Sequence, residues 1–195
     1  MADQRIDDHD CPFASRSRTV IQPRAGARFS HLFKLDCRTL PLQGRYGEAE
    51  PLFVRSLELR EQQLEAQHPH VALSLNNLAL LYQSQGRYGE AEPLYVRSLS
   101  ILQNQLPADH PLTARVVSNL AHLYDLQGRY PEAESLYLQA LPILSARLEE
   151  NHEWRQDATN NWRSFLQKAI EAQRTDELSD NPMTQAELSK IRDEE

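Results

Sequence analysis

Cysteine is scarce in this chain of 195 residues, where only Cys11 and Cys37 occur. Two cysteines cannot build a disulfide scaffold, and such sparse use is typical of proteins in a reducing compartment. No apolar run approaches the ~18 residues that a membrane span needs, and the acidic N-terminus lacks the apolar segment of a signal peptide. We therefore expect a cytoplasmic protein with no membrane partner.

Positively charged residues are also few. The chain has 21 lysines and arginines against 28 acidic residues, which gives a net charge of −7. That balance argues against nucleic acid and against an anionic membrane surface as partners. Only six glycines occur, and five of them stand at recurring turn positions, namely Gly44, Gly47, Gly86, Gly89 and Gly128. The regular placement of glycine points to an internal repeat.

A period of 42 residues dominates the sequence, and such periods are the signature of repeat architectures. The string QGRYGEAEPL begins at residue 43 and again at residue 85, and QGRYPEAESL follows at residue 127. The same offset separates the members of two further series, which are His68, His110 and His152, and Asn77, Asn119 and Asn161. So regular a spacing predicts a series of related structural units.

Each unit is predicted to contain two helices. Apolar residues recur at helical spacing from Val71 to Tyr82, a segment that Pro69 can begin and Gly86 can end. The predicted helices span 47–65, 69–84, 89–105, 111–126, 131–149 and 153–173. Pro142 lies well inside one of them, and we expect that helix to bend there without ending. Antiparallel helix pairs stacked in series form an all-α solenoid.

The repeat resembles the tetratricopeptide repeat. The residues that carry this resemblance are Leu75, Asn77, Leu78, Ala79, Tyr82, Gly86, Tyr88, Ala91, Tyr95 and Leu99. The longer period, with its His-Pro, Leu-Asn-Asn-Leu-Ala, Gln-Gly-Arg-Tyr and Glu-Ala-Glu-Pro-Leu-Tyr segments, is similar to the kinesin light chain type of repeat, which many bacterial and cyanobacterial proteins also carry. The resemblance covers roughly 43–175 and implies a helical solenoid that acts through protein–protein interaction.

Segment 1–42 departs from the repeat, and we interpret it as an atypical arm that is poorly ordered or forms a degenerate first helix. Residues 1–40 contain seven bases and five acids, net +2, whereas the remainder carries −9. Two explanations stay open, a genuine regulatory arm or the product of a truncated or misread gene. In either case the helix at 47–65 is left with an apolar face that can support self-association.

At the other end, the helix at 153–173 is expected to cap the array. Its apolar stripe is formed by Ala158, Trp162, Phe165, Leu166 and Ala169, with polar residues on the opposite side. We expect the acidic tail at 176–195 to be loosely held and to contain one short helix near 182–192.

No motif for catalysis, metal binding or a cofactor is present, so we predict that the chain is not an enzyme. Cys11, Cys37, His9 and His31 lack the spacing of zinc ligands. The repeated histidines are too far apart along a solenoid to share a metal, and we assign them a structural role before the first helix of each unit. Favourable interaction with the helix dipole accounts for the repeated acids Glu90, Glu92, Glu132 and Glu134.

The predicted function is that of an adaptor whose concave groove binds a peptide segment or a partner protein. The resemblance implies that the first helix of each unit lines this groove, with the residues Leu73, Asn76, Asn77, Leu80, Ser84, Arg115, Ser118, Asn119, His122, Asp157, Asn160, Asn161, Ser164 and Lys168. Two roles stay open for the asparagines, because a carboxamide can bind an extended peptide or bridge adjacent helices. An alternative is a fragment, or a sensor or scaffold part, of a larger multidomain repeat protein. A kinesin-type cargo adaptor is less favoured, because 1–42 contains no heptad pattern.

Overall fold

The computed structural model describes residues 46–194, and the arm at 1–42 with both cysteines lies outside the described residues. This part of the chain is all-α, as predicted. Its seven α-helices are α1 (Tyr46–Gln63), α2 (Pro69–Ser84), α3 (Tyr88–Gln105), α4 (Pro111–Leu126), α5 (Tyr130–Arg147), α6 (Glu153–Glu171) and α7 (Pro182–Glu194), with a 3-10 turn at Thr175–Glu177 between the last two. None of these helices is long and apolar enough to cross a membrane.

Each of the six helices predicted for the repeat array begins within one residue of its expected start and ends within two residues of its expected end. Helices α2 and α3 form one pair and α4 and α5 form the next, while α1 precedes them and α6 and α7 follow. Helix α5 continues through Pro142, which is exposed to solvent. The predicted continuity of this helix is therefore confirmed, and its bend stays a prediction.

A histidine caps the first helix of each unit. His68, His110 and His152 precede α2, α4 and α6, and the Nδ1 atom of each accepts a hydrogen bond of 3.1 Å from the backbone N–H two residues later. This bond satisfies one of the four amides that a helix N-terminus leaves without a partner. The structural role predicted for the repeated histidines is thus helix capping.

The turn after each first helix needs a left-handed residue. Gly86 and Gly128 occupy it with φ of 75° and 73°, as expected for a helix C-terminal cap. After α6 the same conformation falls on Gln173, with φ of 55°. Helix α6 has 19 residues where α2 and α4 have 16, so this turn comes three residues later than the repeat would place it.

The core lies both within the helix pairs and between consecutive pairs. Tyr95 of α3 and Tyr137 of α5 occupy equivalent positions, and both are fully buried. In α6 the whole predicted apolar stripe is buried, and the rings of Trp162 and Phe165 lie 5.4 and 5.7 Å from the ring of Tyr137. Aromatic pairs at such separations add to the free energy gained from burial.

Arginine–glutamate pairs connect each unit to the next. Nη1 of Arg87 lies 2.7 Å from Oε2 of Glu50, and Nη1 of Arg129 lies 3.1 Å from Oε1 of Glu92. The hydrogen bond from Arg87 lowers the pKa of Glu50. Tyr124 donates a further hydrogen bond of 3.0 Å to Glu92. The helix dipole alone therefore does not explain the repeated acids, because this glutamate position fixes the alignment of neighbouring units.

The third position of this glutamate series is different. Glu134 is buried, and it accepts hydrogen bonds from the backbone N–H of Ser179 (2.7 Å), from the hydroxyl of Ser179 (2.7 Å) and from the hydroxyl of Thr184 (2.6 Å). Arg174, which follows the turn after α6, instead donates to the carbonyl of Gly128 and pairs with Glu177. Glu134 thus holds the C-terminal segment through neutral donors.

The expectation of a loosely held tail was wrong. Leu178, Leu188 and Ile191 are buried in the same core as the aromatic residues of α5 and α6, and Glu187 of α7 pairs with Arg163 of α6. Helix α7 therefore covers part of the polar side of α6, so that α6 does not end the packed structure. The apolar spacing of the tail, rather than its acidity, decides this outcome.

Replacing Glu134 by alanine should destabilise the protein and release α7. The change leaves the buried hydroxyl of Thr184 without its acceptor, at a cost of about 1–3 kcal/mol, and removes two hydrogen bonds that hold the exposed Ser179. We expect a lower free energy of unfolding in urea and faster amide hydrogen exchange in residues 182–194. The control is Glu132→Ala, which removes a surface partner of Arg129 and should change stability by about 0–1 kcal/mol. Equal effects of both changes would contradict the role of Glu134.

Lowering the pH from 7.5 to 5.5 should destabilise the protein through the His110 cap, because a protonated Nδ1 cannot accept a hydrogen bond. Burial lowers the pKa of His110 in the folded protein. This cap therefore contributes its full stability above the ordinary histidine pKa of about 6.5, and the contribution is lost as the pH falls through the lower pKa of the folded state. Urea unfolding should show a loss of about 1 kcal/mol at this cap. His110→Asn keeps a capping side chain that does not titrate, and an undiminished pH dependence in that variant would count against this mechanism.

Candidate functional site

A cleft of about 270 Å³ opens between α4 and α6, the first helices of consecutive units. Leu80 of α2 reaches its edge. The other lining residues are Arg115, Ser118, Asn119 and His122 of α4, and Glu153, Trp154, Asp157, Ala158, Asn160 and Asn161 of α6. All of them belong to first helices, which is the face expected to form the groove.

The neighbouring junction between α2 and α4 is closed by side-chain hydrogen bonds. Nδ2 of Asn119 donates to Oδ1 of Asn76 at 2.8 Å, and Nδ2 of Asn76 donates to Oδ1 of Asn77 at 3.3 Å. Gln83 and His122 form a second contact at 3.1 Å. Asn76 is fully buried, so its expected place on the groove surface was wrong. Its carboxamide instead bridges the two helices.

The equivalent bridge is missing between α4 and α6. Residues 42 positions beyond Asn76 and Asn119 are Ser118 and Asn161. Within residues 46–194 the structure records no hydrogen bond of the Asn161 side chain, and the same holds for the exposed Asn160. Both carboxamides line the cleft and keep their donors and acceptors available to a ligand.

Two larger side chains replace apolar contacts at this second junction. Arg115 stands where α2 has the buried Leu73, and Trp154 stands where α4 has the buried Leu112. The Arg115 guanidinium lies 4.5 Å from the centroid of the Trp154 ring, within the range of a cation–π interaction. The pair forms one wall of the cleft.

The lining of the cleft contains two carboxylates, those of Glu153 and Asp157, and one guanidinium, that of Arg115. Lys168 does not add to the positive charge of the lining, because its Nζ lies 2.8 Å from Oδ2 of the buried Asp125. Burial is the main cause that lowers the pKa of His122, which favours a neutral ring near pH 7. The charge of the cleft is therefore weakly negative.

The structure brings eight of the residues predicted to line the groove into one cleft, which are Leu80, Arg115, Ser118, Asn119, His122, Asp157, Asn160 and Asn161. The predicted residues that are not part of the lining are Leu73, Asn76, Asn77, Ser84, Ser164 and Lys168. The sequence analysis missed Glu153 and Trp154. A bulky aromatic residue at the position where α4 has Leu112 and α2 has His70 was the signal that could have identified Trp154.

No group of three or more histidine, cysteine, aspartate or glutamate side chains is placed to hold a metal ion in the part of the chain from 46 to 194. The sites of Cys11, Cys37, His9 and His31 fall outside those residues. The lining of the cleft contains one histidine, whose Nδ1 is already hydrogen-bonded to Gln83.

Comparison of the sequence with protein-family profiles finds a match to one family. The sequence profile of the tetratricopeptide repeat matches residues 39–104 and 76–146. No curated protein shows significant similarity to the chain.

Solved structures share the fold. Tetratricopeptide-like repeats assigned to a kinesin light chain of Podospora anserina are 25% identical, with a TM-score of 0.59, over 79% of this chain and 81% of that chain. A single-residue variant of those repeats is 22% identical, with a TM-score of 0.56, over 79% and 80% of the two chains. BtubC (BKLC) of P. vanneervenii is also 22% identical, with a TM-score of 0.60, over 82% of this chain and 61% of that chain.

Proposed function

The chain belongs to the tetratricopeptide repeat family, and we propose that it is a non-catalytic adaptor which binds an extended segment of a partner protein in the cleft between α4 and α6. One observation carries this proposal. The carboxamides of Asn160 and Asn161 line the cleft and make no hydrogen bond within residues 46–194. A carboxamide offers two donors and one acceptor, which match the exposed amides of an extended peptide.

The shape of the cleft supports a peptide ligand. A volume of about 270 Å³ accommodates a few residues of a chain segment, and the site is partly open to solvent rather than enclosed. The Arg115–Trp154 wall offers a flat surface on which a side chain of the ligand can pack. Helices positioned by a buried core hold these groups in place, so that binding needs little reorganisation.

A non-catalytic role fits the polar groups of the lining. His122 is the lining residue suited to proton transfer at neutral pH, and Gln83 occupies its Nδ1 atom. None of the lining residues is a cysteine, and the lining serine, Ser118, is almost fully buried. Binding of a protein segment therefore accounts for this site better than acyl or phosphoryl transfer does.

The double substitution Asn160→Ala and Asn161→Ala should abolish capture of a partner from a lysate of the source cells. Both side chains are free of internal hydrogen bonds, so we expect their removal to leave the helical circular dichroism and the melting temperature unchanged. The loss of affinity should be about 5- to 150-fold, since two peptide hydrogen bonds contribute about 1–3 kcal/mol together. Quantitative mass spectrometry of the captured proteins provides the measurement.

Asn104→Ala is the matched control for this experiment. Asn104 is an exposed asparagine of α3, a helix that contributes no residue to the cleft. We expect the Asn104→Ala variant to capture the same partner as the unmodified chain. If the double variant captures that partner as well as Asn104→Ala does, the cleft is not the binding site.

A further inference from the structure

We propose that a serine at position 118 creates the cleft, and that the occupant is an extended peptide segment with a lysine or arginine side chain directed at Asp157. This inference rests on the proposed function, and it names the chemistry of the partner and the residue that makes one junction of the array competent to bind. Two independent comparisons between equivalent positions support it.

The first comparison concerns the hydrogen bond that closes the preceding junction. There Asn119 reaches the Oδ1 atom of Asn76 at 2.8 Å. A shift by one repeat turns this pair into Asn161 and Ser118. A serine hydroxyl is shorter than a carboxamide and does not span the gap, so that the Asn161 side chain stays without an internal partner. The difference of a single residue type thus converts a bridge into an opening.

The second comparison concerns charge. Asp157 occupies the position at which the preceding units have Arg115 and Leu73. It is exposed, it lines the cleft, and it has no ion-pair partner within residues 46–194. The cationic groups nearby are already engaged, since Arg115 covers the Trp154 ring and Lys168 pairs with Asp125. The carboxylate available to a ligand therefore selects a positively charged side chain.

The overall charge acts in the same direction. A net charge of −7 raises the rate at which basic segments encounter the chain and lowers that of acidic segments. An acidic peptide would meet a lining with two carboxylates, Glu153 and Asp157, and only one guanidinium, that of Arg115, while Lys168 is paired with Asp125. We therefore assign the basic peptide, rather than the acidic one, as the ligand class.

A displayed library of random short peptides, selected on the full chain, tests this proposal directly. We expect enriched peptides to share one lysine or arginine position. Exchange of that residue for glutamine should raise the dissociation constant of the peptide for the unmodified chain about fivefold, as expected for the loss of an exposed ion pair. Fluorescence anisotropy provides the measurement. The same exchange should have no effect on binding to Asp157→Asn, which keeps the size of the side chain.

The second variant in this experiment is Ser118→Asn. It restores the carboxamide of the preceding junction, so Asn119 and Asn161 should both be bridged and the library should yield no enriched peptide. Because Ser118 is buried, circular dichroism must first show that this variant is folded. If it is not, the exposed Asp157→Asn variant still tests the charge preference.

The possible failures are distinguishable. Enriched peptides that lack a shared basic position, or a basic preference that survives in Asp157→Asn, overturn the assignment of the ligand and leave peptide binding in the cleft intact. Normal binding by folded Ser118→Asn overturns the role of the serine. A selection that enriches no more on the unmodified chain than on the Asn160→Ala and Asn161→Ala double variant contradicts the proposed function itself.

Discussion

No helix pair of this chain can bury its apolar face alone, and the whole structure depends on stacking each pair on the next. The stacking buries Tyr95 and Tyr137 completely, and it brings Arg87 to Glu50 and Arg129 to Glu92. Because the repeat places equivalent positions at successive junctions, a change at one position alters one junction and leaves its neighbours as they were. The repeat thus provides rigidity, and departures from it provide a site.

Sequence patterns predicted the helices, the glycine turns and the apolar stripe of α6. These features rest on local signals, such as Pro69 at a helix start or Gly86 after a helix end, and each signal recurs at the same offset. Most of the cleft lining was also predicted, since the pattern of the tetratricopeptide repeat assigns Asn119, Asn161 and Arg115 to the groove side of the first helices.

The features that the sequence analysis missed depend on contacts between distant residues. Asn76 and Asn77 are neighbours in the sequence, and only the partner in α4 decides that the first is buried and the second is not. The attachment of α7 depends on Glu134, 50 residues before Thr184, and on a turn that α6 delays by three residues. A composition of seven acids in 20 residues gave no indication of this packing.

The contrast between a bridged first junction and an open second one is tested most directly by the hydrogen exchange of asparagine side-chain amides, observed by nuclear magnetic resonance in the unliganded chain. Nδ2 of Asn119 donates within the structure, whereas Nδ2 of Asn161 has no partner in residues 46–194. The amide protons of Asn119 should therefore exchange more slowly than those of Asn161. Equal rates, or slower exchange at Asn161, would contradict an open cleft between α4 and α6.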